Sequence, residues 1–305
     1  MHIESGLGMR KVEAAMVLCA GFGTRLLPLT RDMAKPMLPV GDKPVILHIL
    51  DRVRLAVPSR IVINVHYRAG DFDKLEGEQG LAISRETELL GTAGGLAHAA
   101  SMLGKGDVIV WNGDILSDLD PRDLVFAHTS GEASATLAVR PRPAGEGNVG
   151  IAADGRIVRL RDQRFGDEAR AGEFLGVHVI GQELRNRLVK KGCAIGDVYI
   201  PAIDRGERLE AYEVFASYCD IGSLASYLDA NLAWLAAHSL REWRAKGAIV
   251  KAPIDGSVVG ARACIEAPLR RSVAWPGAHV PPGEPLDNVV VTPRSVVRIR
   301  TLSKL

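Results

Sequence analysis

Leu18-Cys19-Ala20-Gly21-Phe22-Gly23-Thr24-Arg25-Leu26-Leu27-Pro28-Leu29-Thr30, closing on Lys35-Pro36, is the stretch whose residue types could do the most chemistry. The apolar run from Ala14 to Ala20 predicts a buried strand. It ends in Gly21 and Gly23, and glycine lets a backbone approach a ligand closely. Successive free N–H groups in such a turn form an anion-binding nest. Arg25 and Lys35 add two fixed cations. The stretch therefore predicts a polyphosphate cradle at the carboxyl end of a first strand. It is not the Walker pattern, because no Gly-Lys-Ser/Thr follows, and it lacks the third glycine of the dinucleotide fingerprint.

A polyphosphate calls for counter-charge. Asp114 follows the run Asp107 to Trp111 and Gly113, and Asp220 follows Glu213 to Cys219 and precedes Gly222. Two carboxylates at such positions suit Mg²⁺, a hard cation that takes one or two protein carboxylates plus phosphate oxygens and water. The plainer reading is that each Asp caps the turn it opens. Gly91-Thr92-Ala93-Gly94-Gly95 offers backbone access to something flat or anionic, or is simply a tight turn into a helix. Glu86 and Glu88 lie nearby. The eight histidines show no ligand spacing, and there is no Gly-x-Ser-x-Gly elbow, so covalent catalysis has no support.

The elements that must position these residues alternate. Strands are predicted at 14–20, 60–66, 81–84 and 107–111, with helices at 44–57 and 91–102 between them. That order predicts βαβ units and a mixed, mainly parallel Rossmann-like sheet flanked by helices. Ligands sit outside the carboxyl ends of such strands, where all the Gly-bearing loops fall. Residues 133–140 and 155–161 read as antiparallel strands around the loop 141–148. Further strands follow at 174–180 and 213–220, then a long amphipathic helix at 224–245. After Gly247 the helical period disappears. Val259 and Ile265, and Val280 and Leu286, lie six residues apart with small residues between, which predicts a short left-handed parallel β-helix of about two turns. So few turns need a body to pack on, either the catalytic domain or another copy. The expected division is a tail at 1–10, a catalytic domain at 11–247 and a β-helix domain at 248–305.

The bulk numbers are permissive. Of 305 residues, 47% are apolar and 24% charged, with a formal net charge of +2, which argues for neither nucleic acid nor a membrane surface as partner. No apolar run approaches the roughly 18 residues that span a bilayer. Met9-Arg10-Lys11 before Ala14 to Ala20 has the outline of an export leader, but Glu13 interrupts it. The scattered Cys19, Cys193, Cys219 and Cys264 read as free thiols of a cytoplasmic protein.

Gly21 to Val40, with Lys35-Pro36 inside it, resembles the signature of the sugar-1-phosphate nucleotidyltransferases. The resemblance continues, in the family's order, through Leu90-Gly-Thr-Ala-Gly-Gly, Asn112-Gly-Asp114, Phe174-Leu-Gly176 and Cys219-Asp-Ile-Gly222. It implies that a sugar-1-phosphate oxygen attacks the α-phosphorus of an NTP and pyrophosphate leaves. By resemblance the catalytic residues are Arg25, Lys35 and Asp114, and Asp114 and Asp220 hold Mg²⁺. Leu18, Ala20, Gly21, Gly23, Thr24, Arg25, Gly91, Thr92, Gly94 and Asn112 bind the nucleotide. Gly150, Glu173 and Gly176 line the sugar pocket.

There are departures. Where many members carry Glu-Lys-Pro, whose Lys touches the sugar phosphate, this chain has Arg161-Asp162-Gln163-Arg164. Arg161 and Arg164 are the candidate replacements, although Arg and Lys are not equivalent at such a site. Tyr218-Cys219 stands where a Trp is usual. The hexad tail is similar to that of the mannose-1-phosphate guanylyltransferase branch. The leading expectation is therefore GTP with a mannose- or heptose-type 1-phosphate, in a homo-oligomer. The alternatives are a UTP enzyme for an N-acetylmuramate- or glucose-type 1-phosphate, and a non-catalytic regulatory relative.

Overall fold

Runs of β-branched residues become strands buried on both faces. The computed structural model describes residues 10–57 and 59–299. It falls into two compact units. One runs to Gly21 and resumes over Ile49–Tyr218; the other takes Phe22–His48 and the described chain from Cys219 on.

In the first unit the strands Val12–Leu18, Ile61–Val65, Leu81–Arg85 and Asp107–Asn112 lie where the sequence predicts them. They are parallel, with Val12–Leu18 between Ile61–Val65 and Asp107–Asn112, and Leu81–Arg85 outermost. Every residue of Ile61–Val65 is buried, the mark of a sheet covered on both faces. Beyond Asp107–Asn112 the sheet turns antiparallel through Arg170–Ile180, which also pairs with Ala135–Arg142 and Val149–Ile151. Leu209–Glu213 adds in parallel to Ala135–Arg142. The result is a mixed sheet, parallel in its N-terminal half.

Several expected elements differ. Residues 133–140 and 155–161 do not pair with each other: Ile157–Leu160 pairs with Val149–Ile151, a strand of three residues too short to show a period. The helix from Gly91 breaks at Ala99 into Gly91–His98 and Ala100–Leu103. Residues 213–220 are the ends of two strands, Leu209–Glu213 and Tyr218–Asp220. Of the expected tail 1–10, residues 1–9 lie outside the described residues. Arg10 is anchored, its Nε 3.0 Å from Asp107 Oδ2 and its Nη1 donating to Ala133 O at 2.9 Å.

One buried polar side chain in this unit stands out. His178 is 3% exposed, and neither ring nitrogen has a hydrogen-bond partner among the described residues. Its ring sits 5.7 Å from that of Phe174 and 5.4 Å from that of Tyr199. Burial, aided by the nearby His128, pushes its pKa down to about 3.

In the second unit the helix Leu224–Ala237 opens on a capping box between Ser223 and Ser226. It stops at Ala237 rather than 245, with Ser239 in left-handed backbone at φ 53°. Tyr227 on this helix is fully buried. Its hydroxyl donates to Pro39 O at 2.6 Å and accepts from Trp275 Nε1 at 3.0 Å, so it ties the 22–48 segment to the C-terminal strands. Asn231 Oδ1 accepts from Gly41 N at 3.0 Å, one turn further on.

The C-terminal strands form a three-sided parallel β-helix. Trp243 lies beside Val258 and Val258 beside Val273, fifteen residues per coil. The next coil lengthens: Leu269 lies beside Leu286 and Val273 beside Val290. The expected strict six-residue period holds only locally, because coils of fifteen give each side five residues on average. Ile254, Val259, Ile265, Leu269, Ala274, Val280 and Val291 point inward to a shared core. The first rung, Trp243–Arg244, is already in place where the sequence predicted helix. Among the described residues, no helix is long and apolar enough to cross a membrane.

Two measurements follow. Tyr227→Phe leaves the Trp275 N–H and the Pro39 carbonyl unpaired in the interior, so urea unfolding should show a loss of about 1–3 kcal/mol. For His178 the folded pKa lies below the unfolded value of about 6.5. The unfolded chain therefore takes up the proton first, and stability is full above that value and falls as pH drops toward 3. The slope from this residue reaches about 1.4 kcal/mol per pH unit. His178→Phe should flatten the pH dependence of stability between about 6.5 and 4; an unchanged profile would show that the ring titrates normally.

Candidate functional site

The parallel register of the first unit aligns three strand ends. Leu18 lies beside Asn64 on one side and Asn112 on the other. Asn64, 2% exposed, organises the loops beyond them. Its Oδ1 accepts from Cys19 N at 2.9 Å and its Nδ2 donates to Glu86 Oε1 at 2.6 Å. Glu86 Oε2 in turn accepts from Leu90 N at 3.2 Å, at the entry to the Gly91 helix. A buried network thus joins the ends of three strands to the glycine loop. A Cβ on Gly95 would lie 2.6 Å from Asn64 Nδ2, so glycine is needed there.

Asp114 leaves the end of Asp107–Asn112 through Gly113, whose N–H donates to Leu18 O at 2.9 Å. A Cβ on Gly113 would lie 2.7 Å from that oxygen and 2.8 Å from Cys19 Sγ. The close approach sets Asp114, half-buried, next to the Leu18–Ala20 turn. Burial, with Asp114 adding negative charge, holds the Cys19 thiol protonated. Gly176, at φ 73°, interrupts the ladder of Arg170–Ile180, and a Cβ there would lie 2.6 Å from Asn112 Nδ2. Leu18, Asn112, Asp114 and Gly176 are therefore gathered at one sheet edge.

The residues of the Gly91 loop have partners of their own. A Cβ on Gly91 would meet Gly192 O at 2.4 Å, and one on Gly94 would meet Lys190 O at 2.6 Å. Thr92 Oγ1 accepts from Ala194 N at 2.7 Å. The smallness of this loop is thus matched to the backbone of residues 190–194. Similarly, Gly150 makes room for the buried Arg159–Glu168 ion pair, 2.7 Å long. Glu173 Oε1 accepts from Asn148 Nδ2 at 3.0 Å, and Asn148 Oδ1 accepts from Phe174 N at 2.8 Å.

Asn148 also lines a cavity of about 490 Å³ with Gly147, Arg159, Arg161, Asp162 and Arg164. Arg159 is consumed structurally: besides Glu168 it donates to Gly147 O and Glu146 O, both at 3.0 Å. Arg161 and Arg164 are exposed. Arg161, at φ 56°, reaches Cys193 Sγ at 3.1 Å. Burial opposes ionisation of Cys193, but the N–H groups of Gly196 and Ile195 and the Arg161 guanidinium outweigh it and lower the thiol pKa. Arg161 and Arg164, standing where the resemblance expects Glu-Lys-Pro, thus line this polar cavity.

In the second unit the signature loop folds on itself. Gly23, at φ 63°, opens the short helical turn Thr24–Leu26 and accepts a hydrogen bond on its carbonyl from Thr30 Oγ1 at 3.0 Å. A Cβ on Gly23 would lie 3.1 Å from that of Lys35. Lys35 Nζ lies 4.0 Å from Asp220 Oδ1. A Cβ on Gly222 would lie 3.0 Å from Asp220 Oδ1 and 3.1 Å from the Arg25 guanidinium. Gly23, Arg25, Lys35 and Asp220 are therefore assembled, with Thr24 and Arg25 exposed to solvent.

Sequence reasoning missed Asn64, Asn148 and Arg159, and left Glu86 open. Asn148 carried a signal, since it stands two residues before Gly150, which the resemblance implies lines the sugar pocket. Asn64 carried none, being one polar residue in an apolar strand whose partners lie on other strands. Asn64→Leu removes both its hydrogen bonds while keeping its bulk, leaving Cys19 N–H and Glu86 unsatisfied. Chemical unfolding should show a loss of about 2–4 kcal/mol, the sum of two buried unpaired groups.

The family model described as Nucleotidyl transferase matches residues 14–237. A mannose-1-phosphate guanyltransferase of Schizosaccharomyces pombe is 28% identical over 260 residues, covering 81% of this chain and 69% of that protein. The mannose-1-phosphate guanylyltransferase catalytic subunit beta of Drosophila pseudoobscura pseudoobscura is 30% identical over 241 residues, covering 75% of this chain and 63% of that protein. The chain thus spans about two thirds of the length of these curated relatives. The solved structure of HddC from Yersinia pseudotuberculosis complexed with GMP-PN superposes with a TM-score of 0.60 at 21% identity, over 73% of this chain and all of that one, and so shares the fold. With the signature loop, the Asn112-Gly-Asp114 turn and the Asp220 turn all inside the matched segment, the chain belongs to the nucleotidyl transferase family.

Proposed function

We propose that the protein transfers a nucleoside monophosphate from an NTP to a sugar-1-phosphate, with release of pyrophosphate. The observation that carries the reading is the cluster of Arg25, Lys35 and Asp220, two cations and a carboxylate around an exposed glycine loop. Such a cluster suits a polyphosphate chain better than a neutral ligand.

In this reading the acceptor's phosphate oxygen forms a bond to the α-phosphorus, and the bond from that phosphorus to the bridging oxygen of pyrophosphate breaks. Positioning and charge neutralisation supply the catalysis, and no covalent intermediate on the protein is needed. The N–H groups of Gly21 to Thr24 and the Arg25 guanidinium hold the leaving pyrophosphate. Lys35 adds a cation beside them. Leu18, Ala20, Gly91, Thr92, Gly94 and Asn112 bind the nucleotide, and Gly150, Glu173 and Gly176 line the sugar. Arg161 and Arg164, facing the cavity beside Asn148, hold the acceptor's phosphate.

Asp114 and Asp220 are assigned to Mg²⁺. The donor set fits it: both are hard carboxylate oxygens, and both stand beside a glycine whose Cβ would crowd its surroundings, Gly113 against Leu18 O and Gly222 against the Asp220 carboxylate. When bound, the ion would neutralise charge on the phosphates undergoing transfer.

GTP and a mannose- or heptose-type 1-phosphate are the proposed substrates. Support comes from relatives named as mannose-1-phosphate guanyl- or guanylyltransferases. A cytoplasmic homo-oligomer, associating through the β-helix, completes the proposal.

Pyrophosphate release measured over a panel of NTPs and sugar-1-phosphates tests it. Turnover is expected, highest with GTP, and Asp114→Asn or Lys35→Ala should lower kcat/KM by about a hundredfold or more without changing thermal unfolding. Preference for UTP would move the assignment to the uridylyl alternative. Nucleotide binding without turnover on any pair would make the protein a regulatory relative.

A further inference from the structure

The β-helix, which lies beyond the matched segment, places three side chains of metal-ligating types on one outer side. Cys264–Ile265 pairs in parallel with His279–Val280, and Cys264 stands directly beside His279. Ile265 and Val280 are buried in the core, so their neighbours Cys264, Glu266 and His279 alternate to the outside. One ligand atom from each of the three lies within 4.8 Å of the others. Glu266 Oε2 is 3.1 Å from His279 Nε2, and its Oε1 accepts from Lys251 Nζ at 2.8 Å.

We propose that Cys264, Glu266 and His279 form a site for a divalent transition-metal ion, zinc being the natural occupant. A thiolate and an imidazole select zinc-like ions over Mg²⁺, and the carboxylate adds a third compatible donor. Three protein ligands leave one tetrahedral position for water or a further donor. Lys251 keeps a role when the ion binds: its bond to Oε1 orients the carboxylate and leaves Oε2 to ligate. Cys264 and His279 belong to successive coils, so a bound ion bridges one coil to the next and stabilises the stack. The spacing was invisible as a motif, because fifteen residues separate the two ligands and only the coil brings them side by side.

The test is a titration of the full-length, reduced, metal-stripped protein with Co²⁺ alone, followed by absorbance. A sulfur-to-cobalt charge-transfer band should saturate at one equivalent and be displaced by Zn²⁺. Cys264→Ser should abolish the band, and His279→Gln should weaken binding about tenfold or more. Asp114→Asn should keep it, which separates this site from the proposed catalytic one. Zn²⁺ should raise the melting temperature of the parent but not of His279→Gln. Absence of the band, its persistence in Cys264→Ser, or an equal melting shift in His279→Gln would each overturn the proposal.

Discussion

Three loops of the first unit depend on one buried amide. Asn64 must satisfy the Cys19 N–H and reach Glu86, which holds Leu90 N in turn. Buried polar groups left unpaired cost far more than their bonds return when made, so the network exists complete or not at all. Its completeness sets the start of the signature loop and the start of the Gly91 helix together. Gly95 is small because the same amide and carboxylate press against it. The parallel register does the rest, by bringing Leu18, Asn64 and Asn112 to a common edge.

Glycines across this protein serve close approach, each with a different neighbour. Gly113 admits Leu18 O, Gly176 admits Asn112, Gly91 admits the Gly192 carbonyl, and Gly150 admits Glu168. In the second unit Gly222 leaves room beside the Asp220 carboxylate and Arg25. Glycines that read in sequence as ligand contacts are thus also packing contacts. The two roles are compatible, since a loop pressed against its support is pre-organised for what it binds.

The second unit joins parts far apart in sequence. Tyr227 bonds to both Pro39 and Trp275, so one side chain links the signature segment, the helix and the β-helix. Arg294, near the end of the described chain, pairs with Asp32 at 2.8 Å. The short β-helix is accordingly tied to the helix and the 22–48 segment of its own unit.

The sequence by itself determined the parallel strands, the signature loop and the family, because these are written locally. Apolar runs set the strands, the Gly-Phe-Gly-Thr-Arg order set the loop, and the turn at Asp114 follows a strand that its apolar run reveals. The breaks at Ala99 and Ala237, the three-residue strand Val149–Ile151 and the fifteen-residue coil escaped it, since each depends on what packs alongside. Only the tertiary structure decided the partners of Asn64, Asn148 and Arg159 and the meeting of Lys35 with Asp220. The meeting of Cys264 with His279 belongs to the same class. Hydrogen bonds and side-chain contacts between distant segments leave no periodic trace in the chain. They are decided by register, and register is a property of neighbouring strands, not of one.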